Sequence, residues 1–160
     1  MNGYFSIPAN IYERLVSEGK GAAGKQERGG ILIGQYRGPH IEITDITLPG
    51  KSDRASLFRF DRRDAVHQRS AAKAWRVSGN TKTYVGEWHT HPFGAATPSG
   101  MDKRTWERLT REAGEPLIFI IVTPADIAFF RAELGNNGII PAPVHLRQLL
   151  PSPDQGTVPE

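Results

Sequence analysis

The chain has 160 residues, no cysteine, 23% charged and 38% hydrophobic residues, and a formal net charge of +3. That is enough for one domain and short for two of ordinary size. Twelve prolines and 17 glycines without a period exclude collagen-like and low-complexity classes, and the absence of thiols excludes disulfide frameworks, cysteine nucleophiles, iron–sulfur clusters and thiolate zinc sites together.

Met1–Phe5 has neither the basic start nor the apolar core of a signal peptide, and the longest apolar run, Leu117–Val122, is far below the ~20 residues of a membrane helix. A soluble, cytoplasmic protein without membrane contact is expected. Pro8–Glu18 is predicted as a helix, with Pro8 at its first position, Ile11, Leu15 and Val16 on one face and Gly19 as its stop. Residues 20–25 read as a flexible connector. Gly30–Tyr36 is a central strand, and Ile41, Ile43 and Ile46 mark a second one after the Gly38-Pro39 turn. Leu57–Phe60 reads as a short strand. Asp61 and Asp64 cap a helix running to about Val77, with Ala65, Ala72 and Trp75 inward. Thr83–His89 is a strand, Pro92–Pro98 a loop, Ser99–Ala113 a helix, Leu117–Thr123 a buried strand and Ile127–Glu133 its hairpin partner. Residues 1–145 thus read as one mixed α/β domain, a mixed β-sheet flanked by helices, and the proline-rich 146–160 as a partly disordered tail.

Charge is uneven. Lys51–Arg76 holds eight basic against three acidic residues, a local +5, leaving the rest of the chain at −2. Such a face can meet nucleic acid or an acidic protein, but it is more often the solvated side of a helix. Nucleic acid is therefore not the expected partner.

Lacking thiolates, the chain can hold a metal only through histidine and carboxylate. Five histidines are present: His40, His67, His89, His91 and His145. Residues i and i+2 of a strand share a face, so His89 and His91 converge at the end of theirs. The following loop can return Asp102, in the first turn of the next helix, to the same place. Two imidazoles and a carboxylate with a fourth position open are the donor set of a catalytic zinc site. Two bland readings stand beside this one: the histidines as a polar strand face, and Ser99-x-x-Asp102 as a helix capping box.

The conjunction of His89, His91, Pro92, Ser99 and Asp102 resembles the JAMM motif of the JAB/MPN/Mov34 metallopeptidases: His-x-His, ten residues, then Asp, with Pro after the second His and Ser three before the Asp. Glu27-Arg28-Gly29-Gly30-Ile31-Leu32-Ile33-Gly34 fits that family's upstream glutamate and the small and apolar residues behind it. The resemblance spans about residues 10–135, lacks no motif residue and argues against the metal-free scaffolds of the same fold. It implies a JAB/MPN-type domain with one Zn2+ held by His89, His91 and Asp102, Glu27 as the proton-transferring base, and Ser99 as the hydroxyl that stabilises the tetrahedral oxyanion.

Spacing alone nominates a rival base, Glu87, two before His89 on the same face. The family usually has an aromatic there, so Glu87 is read as orienting a histidine or contacting substrate. Phe93, at the loop tip, is the candidate for gripping an extended peptide, with simple burial as its equal alternative, and Trp88 is expected in the core. His40 and His67 read as surface residues, and His145, before the tail, has no partner at ligand spacing. The resemblance further implies a peptidase or isopeptidase acting after the C-terminal tail of a ubiquitin-like protein or similar conjugate. Within the family the chain looks most like short bacterial JAB peptidases encoded beside ubiquitin-transfer-like enzymes in antiphage operons such as CBASS, so such an operon-encoded enzyme is the expected partner. Processing of sulfur-carrier or ubiquitin-like precursors, and a non-catalytic metal-binding module, are the alternatives.

Overall fold

A computed structural model describes residues 3–49, 54–55, 60–61, 66–135 and 138–147. The order of elements is β1 (Phe5–Pro8), α1 (Ala9–Lys20), β2 (Gly29–Arg37), β3 (His40–Ile46), β4 (Arg54–Ala55), β5 (Phe60–Asp61), α2 (Val66–Val77), β6 (Thr83–Thr90), α3 (Gly100–Ala113), β7 (Leu117–Val122), β8 (Ile127–Ala132), β9 (Ile139–Pro141) and β10 (Val144–Arg147). Eight strands form one mixed sheet in the order β10-β1-β3-β2-β6-β7-β8-β9, and β4 and β5 pair separately. The expected mixed α/β class is the class observed. Among the described residues, no helix is long and apolar enough to cross a membrane.

The sheet curls strongly. β9 and β10 lie at opposite ends of the strand order but only Ala142 and Pro143 separate them in the chain. Three Cα–Cα steps of ~3.8 Å bring those two edges within about 11 Å of each other. Across the interior of the curl, the Phe5 and Phe129 rings approach to 5.3 Å. One face buries Phe5, Ile7, Leu32, Ile43, Trp88, Ile118 and Ile120 with Leu15 of α1. The other buries Phe119, Ile121 and Phe130 under Trp106 of α3.

β6 is the strand that matters for function, and its alternation is broken once. Gly86 takes φ 148°, where side chains are strained, and a Cβ there would stand 1.7 Å from the Ile118 carbonyl oxygen. The register with β2 shifts at the same point, as at a β-bulge. Tyr84, Glu87 and His89 thereby share the α3 face, while Val85 and Trp88 enter the opposite core.

Several sequence expectations are corrected. Pro8 precedes α1 as its N-cap, and the helix runs through buried Gly19 to Lys20, with Gly21 as its C-cap. Residues 20–25 form hydrogen-bonded turns, Ala22 N–H to the Gly19 carbonyl and Lys25 N–H to the Ala22 carbonyl, with Ala22 buried. Asp61 belongs to β5, not to a helix cap; Leu57, Asp64 and Ala65 lie outside the described residues. On α2, Ala72 and Trp75 face solvent and His67, Ser70, Ala71 and Ala74 turn inward. Four short strands, β1, β4, β9 and β10, were not anticipated. β10 carries Leu146 and Arg147 into the sheet, while the rest of the expected tail, 148–160, is outside the described residues.

Candidate metal centre

β6 ends at the site. His89 and His91, two residues apart, turn toward α3 from the end of the strand, and the Pro92–Pro98 loop leads to Ser99, the N-cap of α3. Ser99 and Asp102 form a reciprocal capping box: Asp102 N–H donates to Ser99 Oγ at 3.0 Å, and Ser99 N–H donates to Asp102 Oδ2 at 2.9 Å. The box does not compete with the metal reading, because it fixes the carboxylate against the imidazoles. Asp102 Oδ2 lies 3.5 Å from His89 Nε2 and 3.3 Å from His91 Nε2, and the two nitrogens are 3.0 Å apart. Ligand atoms ~2.0–2.1 Å from a tetrahedral zinc are about 3.3–3.4 Å apart, so the three edges of this triangle fit one ion. A second trio, Glu27 with the same two histidines, also gathers its ligand atoms within 4.8 Å; the Asp102 trio is the tighter and closer to coordination spacing.

Glu27 arrives from the other side. It precedes β2, is 6% exposed, and holds Oε1 3.7 Å from His91 Nε2. β2 can lie this close to the histidine strand because Gly29 pairs with His89: a Cβ on Gly29 would stand 2.2 Å from the Trp88 carbonyl oxygen. Burial pushes the Glu27 carboxyl above its ordinary pKa, partly offset by His89 and His91. For Asp102 burial acts the same way, but hydrogen bonds from both imidazoles outweigh it and hold the carboxyl far below the usual range. His91 is disfavoured as a cation by burial, yet bonding to Asp102 and to the Ala95 carbonyl raises it overall.

That Ala95 contact also selects a tautomer. A carbonyl only accepts, so His91 Nδ1, 3.3 Å away, donates its hydrogen; the neutral ring then carries its lone pair on Nε2, the form that binds a metal, whereas the Nε2 hydrogen bond to the Asp102 carboxylate belongs to the protonated ring. His89 is walled by the Trp106 ring, 6.2 Å between centroids.

The structure thus brings together Glu27, His89, His91, Ser99 and Asp102. Glu87 lies on the same sheet face, and its Oε1 accepts the Tyr84 hydroxyl at 3.0 Å. Phe93 is 56% exposed at the rim and Trp88 is fully buried. His67 corrects the surface assignment: it is 1% exposed, with Nδ1 2.6 Å from Thr47 Oγ1. His40 stacks on Tyr4 and accepts the Tyr4 N–H, and His145 meets the same ring edge-on. Sequence reasoning missed Ala95, which acts through its backbone and so leaves no side-chain signal, and Thr90. The latter, hidden between the histidines, bonds to Arg28 through both its backbone and its hydroxyl.

The family described as prokaryotic homologs of the JAB domain matches residues 8–133. A Vibrio cholerae protein named CD-NTase/cGAS isopeptidase is 36% identical over 127 residues, covering 79% of this chain and 81% of the relative. An Escherichia coli protein of the same name is 36% identical over 121 residues, covering 76% and 77%. The solution structure of protein DSY2949 from Desulfitobacterium hafniense superposes with a TM-score of 0.66 at 22% identity, over 91% of this chain and 94% of the other, a likeness of fold alone.

Proposed function

The chain belongs to the prokaryotic JAB-domain family, and on that premise we propose that it is a zinc-dependent isopeptidase. Its substrate is a conjugate in which the C-terminal carboxyl of a ubiquitin-like protein is joined to an amine of a partner protein. The relatives named CD-NTase/cGAS isopeptidase support a CD-NTase or its ubiquitin-transfer-like partner enzyme as that conjugate, in an antiphage operon of the CBASS kind. The observation that carries the reading is the 3.0–3.5 Å triangle of His89 Nε2, His91 Nε2 and Asp102 Oδ2 with the Glu27 carboxylate beside it. With every motif residue present, a metal-free scaffold role is the weaker alternative.

His89, His91 and Asp102 would hold the ion. A zinc ion there supplies Lewis acidity and acidifies water toward a pKa of ~7. Glu27, buried and with a raised carboxyl pKa, accepts the proton of the attacking water on Oε1 and returns it to the leaving amine. Ser99 can donate to the developing oxyanion: its Oγ is an acceptor in the capping box, which uses a lone pair, and among the described residues no acceptor is recorded for its hydroxyl hydrogen. Phe93 offers an exposed ring beside the ligands, suited to an extended tail. The test is incubation of zinc-loaded protein with a ubiquitin-like protein conjugated to the operon-encoded enzyme, with and without chelator. Release of both proteins only without chelator is expected; an intact conjugate under both conditions refutes the proposal.

A further inference from the structure

The glutamate and the histidines come from strands far apart in the chain, and one residue joins them. The β2–β6 ladder ends at the pair Gly29 and His89. Beyond it, Thr90 N–H donates to the Arg28 carbonyl at 2.7 Å, and Arg28 N–H donates to Thr90 Oγ1 at 2.9 Å. A regular antiparallel rung would send that second bond to a backbone carbonyl. Here a side-chain hydroxyl takes it, so the ladder closes while the chain departs toward Glu27, the residue next to Arg28. Thr90 is 2% exposed, so neither bond is exchanged easily for water.

We infer that Thr90 is a positioning residue, whose hydroxyl sets the distance between the Glu27 carboxylate and the two imidazoles that flank Thr90 in sequence. This rests on the reading of Glu27 as the base. Among the described residues the hydrogen bond recorded for the Thr90 hydroxyl is the one from Arg28 N–H, so its effect on Glu27 runs through Arg28. The inference predicts a defect in turnover, not in metal holding. Thr90→Val keeps the shape and removes the bond; Thr90→Ser keeps the bond.

Both variants are made in the full chain, loaded with zinc and compared with wild type by metal stoichiometry, steady-state kinetics on the conjugate, and crystal structures. Since a misplacement of about 1 Å can cost on the order of 100-fold, Thr90→Val should lose roughly 10- to 100-fold in kcat, with KM within about threefold. Zinc should stay at one per chain. Thr90→Ser should recover kcat to within about threefold. In the crystal of Thr90→Val the Glu27–His91 separation should lengthen from 3.7 Å and in Thr90→Ser it should not. If valine is not tolerated, Thr90→Ala serves in its place. Unchanged kcat, an equal loss in the serine variant, or a Glu27 carboxylate that has not moved in Thr90→Val each overturns the inference. A wild type that cleaves nothing sinks the proposed reaction instead, and the crystal structures still decide the role of Thr90.

Discussion

Ser99 carries two assignments of very different size, and replacing it with alanine separates them. As N-cap it accepts the Asp102 N–H at 3.0 Å, and losing such a cap costs about 1 kcal/mol. At ~2.1 cal/mol/K of unfolding entropy per residue, a 160-residue chain changes by about 0.34 kcal/mol per degree, so Tm should fall by only about 3 °C. As oxyanion donor the same hydroxyl is worth about 2.7–4 kcal/mol of transition-state stabilisation, or 100- to 1,000-fold in kcat. Ser99→Ala should therefore melt close to wild type and turn over hundreds of times more slowly. The assay pairs a thermal melt with single-turnover cleavage of the conjugate at saturating zinc, so that any weakening of metal binding through Asp102 is held fixed. Ser99→Gly gives the control on the cap, since glycine at an N-cap costs only a few tenths of a kcal/mol; it should melt nearer wild type yet be as slow as alanine. A Tm loss of several degrees with near-normal turnover would leave Ser99 with the cap alone.

Glu27→Gln should abolish hydrolysis with one zinc still bound by elemental analysis, whereas Glu87→Gln should retain most activity; the reverse pattern would make Glu87 the base. His89→Ala should reduce bound zinc from one per chain to near none, and zinc at 100 times its Kd should raise the wild-type stability by about 2.7 kcal/mol, seen as a higher Tm that chelator reverses. Glu42 gives a pH test away from the site. Burial raises its carboxyl, but hydrogen bonding from Gln35 and the charges of Arg147 and Arg37 outweigh this and hold it below 4.5. A folded-state pKa below the unfolded one means the stabilisation is full above about 4.5 and fades as pH falls through the lowered value. Between pH 7 and pH 3, denaturant melts should show wild type losing more stability than Glu42→Gln; equal losses would refute the role.

The convergence of His89, His91 and Asp102, the proposed ligands, was readable because its signals are local: a period of two on β6, a proline-bounded loop and a helix start within 14 residues of one another. Glu27 has no such signal. It reaches the histidines only through the β2–β6 pairing, so spacing pointed to Glu87 and only the family resemblance pointed past it. The same limit hid β1 and β10, which pair in parallel with Phe5 opposite Val144 and leave no hairpin between them to notice. On α2 the error was one of phase. The large aromatic Trp75 suggested the inner face, but the inward stripe is built of buried His67 and half-buried small residues, and a histidine can enter it because its Nδ1 shares a hydrogen bond with Thr47 Oγ1. Hydropathy cannot register a polar group whose partner is 20 residues away.

The curl of the sheet has a practical edge. The matched family region stops at residue 133, while β9 and β10 lie after it, and β10 is hemmed to β3 by Arg147, which reaches Glu42 Oε1 at 3.1 Å. A fragment cut at the family boundary would strip both outer seams at once. It would lay open the hydrogen-bonding rims of β1 and β8, with Phe5, Ile7 and Phe129 directly behind them, as templates for stranger chains. β9 and β10, the last of the described strands, are what cover those rims and keep this fold to itself.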